Sequence, residues 1–397
     1  MKREKNSLLA ENSLFLLLRL ALGAEKGNLS EFTIRTSEGW SLLYSLASKL
    51  GVVGIAYAGV CLLPKELQPP MQVAFQWASE AEAIRGHNRI VNQEAARLTE
   101  IFSAHGRKSA ILKGAANARL YPDAFIRQCG DIDIWVDGGY DEVVALLQEL
   151  GMMPVDAVLP KFNDKKSYAE KITEAKRLVQ LSEHHVHLPD KLQGVTVEVH
   201  YKCSSGNHNP ISNRHLLGYL DAEIRNATLA PEGFYVPSMG FALAMQLSHV
   251  QRHFFAGGIG LKQLADYSVL LRNASDEERR EMAGNLRKFG FMPFCGAFMW
   301  LLGYVFGLER ERMLCSPDEK RGRLMLERVV SGGTFGFYAI TKQGVISHWI
   351  AKRTRSLRFF WFSPVEVFWT EVAYWRTFFR SIPIRIKLRK LSIRDLF

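Results

Sequence analysis

Two aspartates separated by one residue are the first feature of this sequence that could do chemistry. Asp131 and Asp133 stand in DIDIWV, where acidic and apolar residues alternate. Alternation predicts a β-strand, in which residues i and i+2 share a face about 6.6 Å apart at roughly 3.3 Å per residue. Two such carboxylates repel each other unless a cation lies between them, and Mg²⁺ suits oxygen ligands. The preceding Gly130 would let a substrate approach the pair closely.

A third carboxylate stands in a second predicted strand, VTVEVHY. Val197 and Val199 fit a buried face, so Glu198 between them points the other way. Three carboxylates on neighbouring strands can bind two Mg²⁺ ions, which clamp the attacking and leaving oxygens of a phosphoryl transfer.

A candidate phosphate cradle precedes the acidic strand. Lys113 and Gly114 lie between a predicted strand, SAIL, and the start of a predicted helix, AANARLY. Backbone N–H groups and the dipole at a helix start favour an anion, and Lys113 adds a point charge. Arg127 could reach phosphate oxygens from just before the acidic strand. Each feature alone is common, whereas their ordered combination is specific.

Histidines crowd the segments EHHVHL and VTVEVHY, which are predicted to form a β-hairpin. His185 and His187 would share one strand face, and His200 shares a face with Glu198. A transition-metal site, contact with a substrate and a structural role all remain open for these side chains.

A candidate acceptor site combines His200 with residues of a later helical region. His249 and His253, four residues apart, lie on one face of a predicted helix, and Lys262 and Asp266 follow on the next one. The glutamate of the HExxH motif is absent, which excludes that metalloprotease chemistry. Packing and hydrogen bonding within the core is the structural alternative.

The elements around these residues predict an α+β fold, in which a small mixed sheet forms a core between helical regions. Val91, Ala95, Leu98 and Phe102 recur at helical spacing in a long helix that Gly106 ends. We predict four regions: 1–95 helical, 96–209 the core, 210–335 helical, and 336–397 a basic, aromatic, helical tail.

Composition limits the class of protein. The five cysteines are widely spaced and form no CxxC pair, which argues against a disulfide framework and for a reducing compartment. Of the net charge of +11, most lies after residue 341, where twelve Lys or Arg face three Asp or Glu. This tail predicts an anionic partner, such as a nucleic acid, an anionic acceptor or a membrane surface, unless its aromatic residues only pack on the core.

Two apolar segments resemble export or membrane signals. Glu11, Asn12 and Arg19 interrupt the N-terminal one, which predicts an amphipathic helix instead of a signal peptide. Residues 289–308 are uncharged but contain Pro293 and glycines, which predicts a buried helix pair and no transmembrane segment. We therefore expect a cytoplasmic protein. Its basic, aromatic tail also allows peripheral attachment to a membrane.

At this point the sequence is similar to a known family. AILKGAANARLYPDAFIRQCGDIDIWV, followed by VTVEVH, resembles the bacterial uncharacterised nucleotidyltransferases of the DNA-polymerase-β-like superfamily, over about residues 75–275. By this resemblance Asp131 and Asp133 match the paired metal ligands, and Glu198 matches the third carboxylate. Histidines like His249 and His253, and a segment like GIGLKQLAD, also occur in that family.

The resemblance extends to the phosphate cradle, with two departures. Lys113 and Gly114 take the place of a glycine-serine turn, and Arg127 matches an arginine before the acidic strand. Ala115 stands where a serine or threonine often helps to hold the triphosphate, and the third acid is Glu198 instead of an aspartate.

The resemblance implies an enzyme that uses two Mg²⁺ ions to move a nucleoside monophosphate from a triphosphate, such as ATP, to an unidentified hydroxyl, releasing pyrophosphate. A sugar, a metabolite, RNA and a protein side chain remain open as acceptors. The alternatives are a non-catalytic binder of nucleotides or nucleic acid, and a membrane-surface accessory protein of polysaccharide biosynthesis.

Overall fold

A four-stranded sheet positions the acidic residues. A computed structural model describes residues 2–24, 29–153, 184–256, 258–332 and 359–387. The strands are β1 (Ser109–Ile111), β2 (Ile132–Val136), β3 (His185–His187) and β4 (Val197–His200), in the order β1-β2-β4-β3. Strands β2 and β4 run parallel and the other pairs antiparallel, so the sheet is mixed, and the predicted α+β fold class is confirmed.

The remaining described elements are mostly helices. They are α1 (Lys2–Ala21), α2 (Ser37–Lys49), α3 (Val53–Cys61), α4 (Met71–Ala104), α5 (Ala115–Ala118), α6 (Gly139–Glu149), α7 (Pro210–Glu223), α8 (Met239–Ala256), α9 (Leu261–Asn273), α10 (Asp276–Asn285), α11 (Phe294–Phe306), α12 (Glu319–Gly332) and α13 (Pro364–Lys387). A two-stranded hairpin, β5 (Thr228–Leu229) and β6 (Tyr235–Val236), interrupts the region that the sequence predicts to be helical.

The apolar residues of β2 and β4 explain why these strands form the centre of the sheet. Ile132, Ile134, Val197 and Val199 are at most 1% exposed. Alternating side chains point to opposite faces, so burying this face turns the intervening carboxylates to the other one. The predicted alternation is therefore confirmed for both strands.

The described residues divide into two compact units. The first takes its residues from 1–92, 114–129 and 239–341, and the second from 93–113, 130–238 and 342–397. The sheet, with all four of its strands, belongs to the second unit. The four-region division predicted from the sequence stays a prediction.

Helices α1 and α3 pack tightly within the first unit. A Cβ added at Gly59 of α3 would lie 2.2 Å from the carbonyl oxygen of Leu17 in α1, so only glycine fits at this contact. Residues 14–18 of α1 are all at most 3% exposed. The predicted amphipathic character does not hold for this turn of α1, because neighbours enclose it on every face.

The stretch 289–308 contains one helix, α11, and not the predicted helix pair. Pro293 stands at the N-terminal cap of α11, and most residues of α11 are buried in the first unit. Among the described residues, no helix is both long and apolar enough to cross a bilayer.

Candidate active site

Asp133 and Glu198 form the centre of the candidate site. They are directly opposite each other in the register between β2 and β4. The side chain of Asp133 is only 2% exposed, and that of Glu198 is 18% exposed. Because neighbouring strands lie about 4.8 Å apart, this register brings two acidic side chains together on one face of the sheet.

Lys113 compensates the charge of Asp133. Its Nζ lies 3.0 Å from Asp133 Oδ2. Burial opposes the charge on the lysine, but the carboxylates of Asp133, Asp131 and Glu198 outweigh it and raise the pKa of Lys113 above its ordinary value. Burial likewise opposes the ionisation of Asp133, whereas Lys113 and His200 hold the pKa of that carboxyl well below its usual range. Both groups are therefore charged at neutral pH.

Asp131 completes the acidic set from just outside the strand. It immediately precedes β2, which begins at Ile132 and not at the predicted Asp131. Burial raises the pKa of Asp131, the charge of Asp133 raises it further, and Lys113 offsets part of this effect. Such crowding of like charge is relieved when a divalent cation binds between the carboxylates.

His200 connects the two central carboxylates. Its Nε2 lies 3.0 Å from Asp133 Oδ1 and 3.6 Å from Glu198 Oε2. Burial lowers the pKa of His200, but the bonds to Asp133 and Glu198 outweigh burial and raise it. The sequence predicts that His200 faces an acceptor. The structure instead places it among Asp131, Asp133 and Glu198, which together with Lys113 and His200 form the carboxylate cluster.

Two further histidines surround Glu198. His187 Nδ1 lies 3.4 Å from Glu198 Oε1, and His185 Nε2 lies 3.6 Å from Glu198 Oε2. Burial outweighs the opposing attraction of Glu198 and lowers the pKa of His185 to about 4. The H-x-H pattern of β3 opposite the E-x-H pattern of β4 is the sequence signal for this arrangement, and the antiparallel register pairs His187 with Glu198.

The donor atoms fit divalent cations of two kinds. Asp131, Asp133 and Glu198 offer the oxygen ligands that Mg²⁺ prefers. The imidazole nitrogens around Glu198 suit transition metals better. The site can therefore hold cations against a phosphorylated substrate, with Lys113 as a fixed positive charge.

The predicted phosphate cradle is only partly present. Gly114 has a φ of +65°, a conformation that favours glycine, and it caps α5. Helix α5 is a single turn of four residues, so its dipole contributes little. At Gly130 an added Cβ would meet nothing within 4 Å, which agrees with the predicted open approach to the acidic strand.

Arg127 and Asp266 bind each other in the first unit. Arg127 Nε and Nη2 donate to the two carboxylate oxygens of Asp266, both at 2.7 Å, and the side chains are 6% and 1% exposed. The hydroxyl of Tyr121 donates to Asp266 Oδ1 at 2.8 Å. This buried pair supports neither the predicted phosphate contact of Arg127 nor the predicted acceptor contact of Asp266, because each satisfies the other.

The other predicted acceptor residues also belong to the first unit. The rings of His249 and His253 lie on α8 with their centroids 4.3 Å apart, as their spacing predicts. Lys262 lies in α9, which begins at Leu261. The predicted acceptor role of these three side chains stays a prediction.

Comparison with known proteins adds one match. A family model described as "Uncharacterised nucleotidyltransferase" matches residues 36–307, which is more than half of the chain and includes every member of the carboxylate cluster. No curated protein and no solved structure matches the chain.

Proposed function

This chain belongs to the uncharacterised nucleotidyltransferase family, and from that premise we propose that it transfers a nucleoside monophosphate from a nucleoside triphosphate to an acceptor hydroxyl. The acceptor oxygen forms a bond to the α-phosphorus, and the bond from that phosphorus to the bridging oxygen breaks. Pyrophosphate leaves, and the hydroxyl proton passes to a base or to water.

The observation that carries this proposal is the convergence of Asp133, Glu198 and Lys113 on one face of the sheet. Asp133 and Glu198 are opposite each other in register, and Lys113 lies 3.0 Å from Asp133. Asp131 is close enough for its charge to raise the pKa of Lys113. Enzymes of phosphoryl transfer act mainly by positioning and by stabilising charge, and these residue types supply both.

Asp131, Asp133 and Glu198 are the residues that would hold Mg²⁺. When bound, Mg²⁺ supplies Lewis-acid stabilisation of the phosphate charge. Lys113 neutralises part of the charge on the phosphates. Glu198 would also be able to accept the proton of the acceptor hydroxyl, and His200, bonded to Asp133, would hold the orientation of the carboxylates.

The test is to incubate the full chain with Mg²⁺, a cell lysate and each α-³²P-labelled nucleoside triphosphate in turn. We expect one class of molecule to become labelled, and the Asp131→Asn/Asp133→Asn double variant to give no label while keeping its circular dichroism spectrum. Asp141→Asn, an exposed carboxylate at the start of α6, is the matched control. Unchanged labelling by the double variant would contradict the proposal. Triphosphate binding that needs no Mg²⁺ and leads to no label would favour the non-catalytic alternative.

A second candidate function, attachment to an anionic membrane surface, is favoured by an apolar stripe along α13. The stripe residues of α13 are all at least 37% exposed and follow each other at intervals of three and four residues: Val365, Phe368, Val372, Trp375 and Phe379. Trp361, which is 85% exposed, lies in the turn just before the helix. Intervals of four and three keep side chains on one helical face. An aromatic face beside an excess of Lys and Arg is typical of helices that lie in the membrane interface.

Vesicle co-sedimentation tests this second function. We expect the chain to sediment with vesicles of phosphatidylcholine and phosphatidylglycerol and to remain in the supernatant with phosphatidylcholine alone. The Phe368→Ser/Trp375→Ser variant should lose sedimentation, whereas Leu324→Ser, an exposed leucine on α12, should not. Equal sedimentation of parent and stripe variant would rule out this function.

A further inference from the structure

We propose that His185, His187 and Glu198 bind a transition-metal dication, with Zn²⁺ as the ion they fit best, at a site that shares only Glu198 with that of Mg²⁺. Each of the three residues offers one ligand atom, and these atoms lie within 4.8 Å of one another. The proposal concerns metal binding and does not depend on the transfer reaction.

The spacing of the donor atoms is that of a metal's ligands. His185 Nε2 and His187 Nε2 are 3.0 Å apart, and His185 Nε2 is 3.6 Å from Glu198 Oε2. Tetrahedral ligands at the usual Zn²⁺ bond lengths of about 2.0–2.1 Å are separated by roughly 3.3 Å. The two separations that involve His185 Nε2 lie on either side of this value, and all three ligand atoms lie within 4.8 Å of one another, so a shift of the side chains would bring them onto one ion.

The pairing of β3 with β4 fixes which of these side chains lie next to each other. His185 and His187 are residues i and i+2 of β3, so they share a face of the sheet. The antiparallel register pairs His187 with Glu198 and His185 with His200. Two imidazoles and one carboxylate are thus brought together by strand pairing.

The chemistry of the donors separates this site from the Mg²⁺ site. Mg²⁺ is held by oxygen ligands and seldom by imidazole. Two histidines and one carboxylate select ions such as Zn²⁺, Co²⁺ or Fe²⁺. Three protein ligands leave a coordination position open for water or a substrate atom, as in catalytic zinc sites.

A neighbouring histidine holds the ligand ring in the orientation that metal binding needs. His184 Nε2 lies 2.9 Å from His185 Nδ1, which leaves His185 Nε2 directed at His187 and Glu198. Metal-bound histidines usually have their second ring nitrogen hydrogen-bonded in this way. The buried His200 places its Nε2 3.6 Å from the same oxygen, Glu198 Oε2, and so helps to fix the carboxylate.

The experiment is to strip the full chain of metal with a chelator and to titrate it with Zn²⁺ by calorimetry, and with Co²⁺ by visible absorption. We expect one saturable ion per chain and the intense absorption bands of four-coordinate Co²⁺. His187→Gln is the main variant, because the side chain of His187 is 35% exposed and its replacement should not disturb folding. We expect it to weaken Zn²⁺ binding by more than about 100-fold, and His184→Phe to weaken it by about 10-fold.

Two controls decide between this site and the other places where Zn²⁺ could bind. His249→Ala/His253→Ala removes the histidine pair of α8, which has the spacing of a zinc site, and we expect it to leave Zn²⁺ affinity unchanged. Asp131→Asn should weaken Mg²⁺ binding but not Zn²⁺ binding. Loss of Zn²⁺ binding in the α8 variant, or no change in His187→Gln, would overturn the proposal, as would the absence of saturable binding in the parent chain.

Discussion

The imidazole of His200 lies 3.0 Å from Asp133, on the strand next to the one that carries the aspartate. Because Asp133 also pairs with Lys113, two cationic groups face one buried carboxylate. Lys113 and the imidazolium form of His200 carry two positive charges against the three carboxylates of Asp131, Asp133 and Glu198, so excess negative charge is left for a divalent cation to neutralise. The electrostatics of the site therefore make testable predictions about pH and stability.

The first prediction concerns His200. Its pKa is raised above the ordinary value of about 6.5, so the imidazolium form stabilises the folded state. This contribution is fully present below the pKa of unfolded histidine and is lost as pH rises through the folded pKa. His200→Gln should lower the free energy of unfolding by about 2 kcal/mol near pH 6, as for a hydrogen bond to a charged group, and by less at pH 9. Urea unfolding of metal-free protein measures this, and a difference that does not vary with pH would contradict it.

The second prediction concerns the buried pair of Arg127 and Asp266. Asp266→Asn should destabilise the protein by roughly 3–5 kcal/mol, because it leaves a buried guanidinium uncompensated. Tyr121→Phe removes only one neutral hydrogen bond to the same carboxylate and should cost about 1 kcal/mol. Denaturant unfolding measures both. If Arg127→Lys instead raised the KM for the triphosphate tenfold without loss of stability, the phosphate contact predicted from the sequence would be correct.

The third prediction uses two helical glycines with opposite surroundings. Gly59→Ala should destabilise the protein by about 1–3 kcal/mol or more, since the new methyl group would overlap the backbone of Leu17. Gly86 in α4 has nothing within 4 Å of an added Cβ, so Gly86→Ala should stabilise the helix by about 0.5–1 kcal/mol. Thermal unfolding of the two variants should shift in opposite directions, and equal shifts would disprove the close contact of α1 with α3.

The fourth prediction concerns Glu366 at the start of α13. It is 4% exposed, and burial raises its pKa to about 7. A carboxyl with a raised pKa stabilises the folded state fully below its unfolded pKa, and this contribution is lost as pH rises from about 4 through 7. Glu366→Gln should therefore be more stable than the parent at pH 8, by about 2 kcal/mol. Glu149→Gln, at an exposed position of α6, should show no such gain in the same unfolding experiment.

Local pattern was enough to predict much of the fold and the acidic face. The alternation of DIDIWV and VTVEVH predicts which side of each strand is apolar, and burial of Ile132, Ile134 and Val199 confirms it. The hairpin of β3 and β4 also follows from a short, turn-rich connection. These features depend on residues that are close together in the sequence, so local patterns are enough to predict them.

What local pattern could not supply is pairing between distant residues. The parallel register that sets Asp133 opposite Glu198 joins strands 65 residues apart, and no local signal fixes it. Arg127 and Asp266 are 139 residues apart, so the motif around either residue does not predict the salt bridge between them. The hairpin of β5 and β6 was missed because strands of two residues are too short to show a period.

Glu198 presents one oxygen to His187 and the other to His185 and His200. A carboxylate shared by two ions links their occupancies, and such linkage is reciprocal: whatever factor zinc imposes on the affinity for magnesium, magnesium imposes on the affinity for zinc. The ratio of free zinc to free magnesium in the solution would then set the rate of the proposed transfer, even when the amount of protein stays constant.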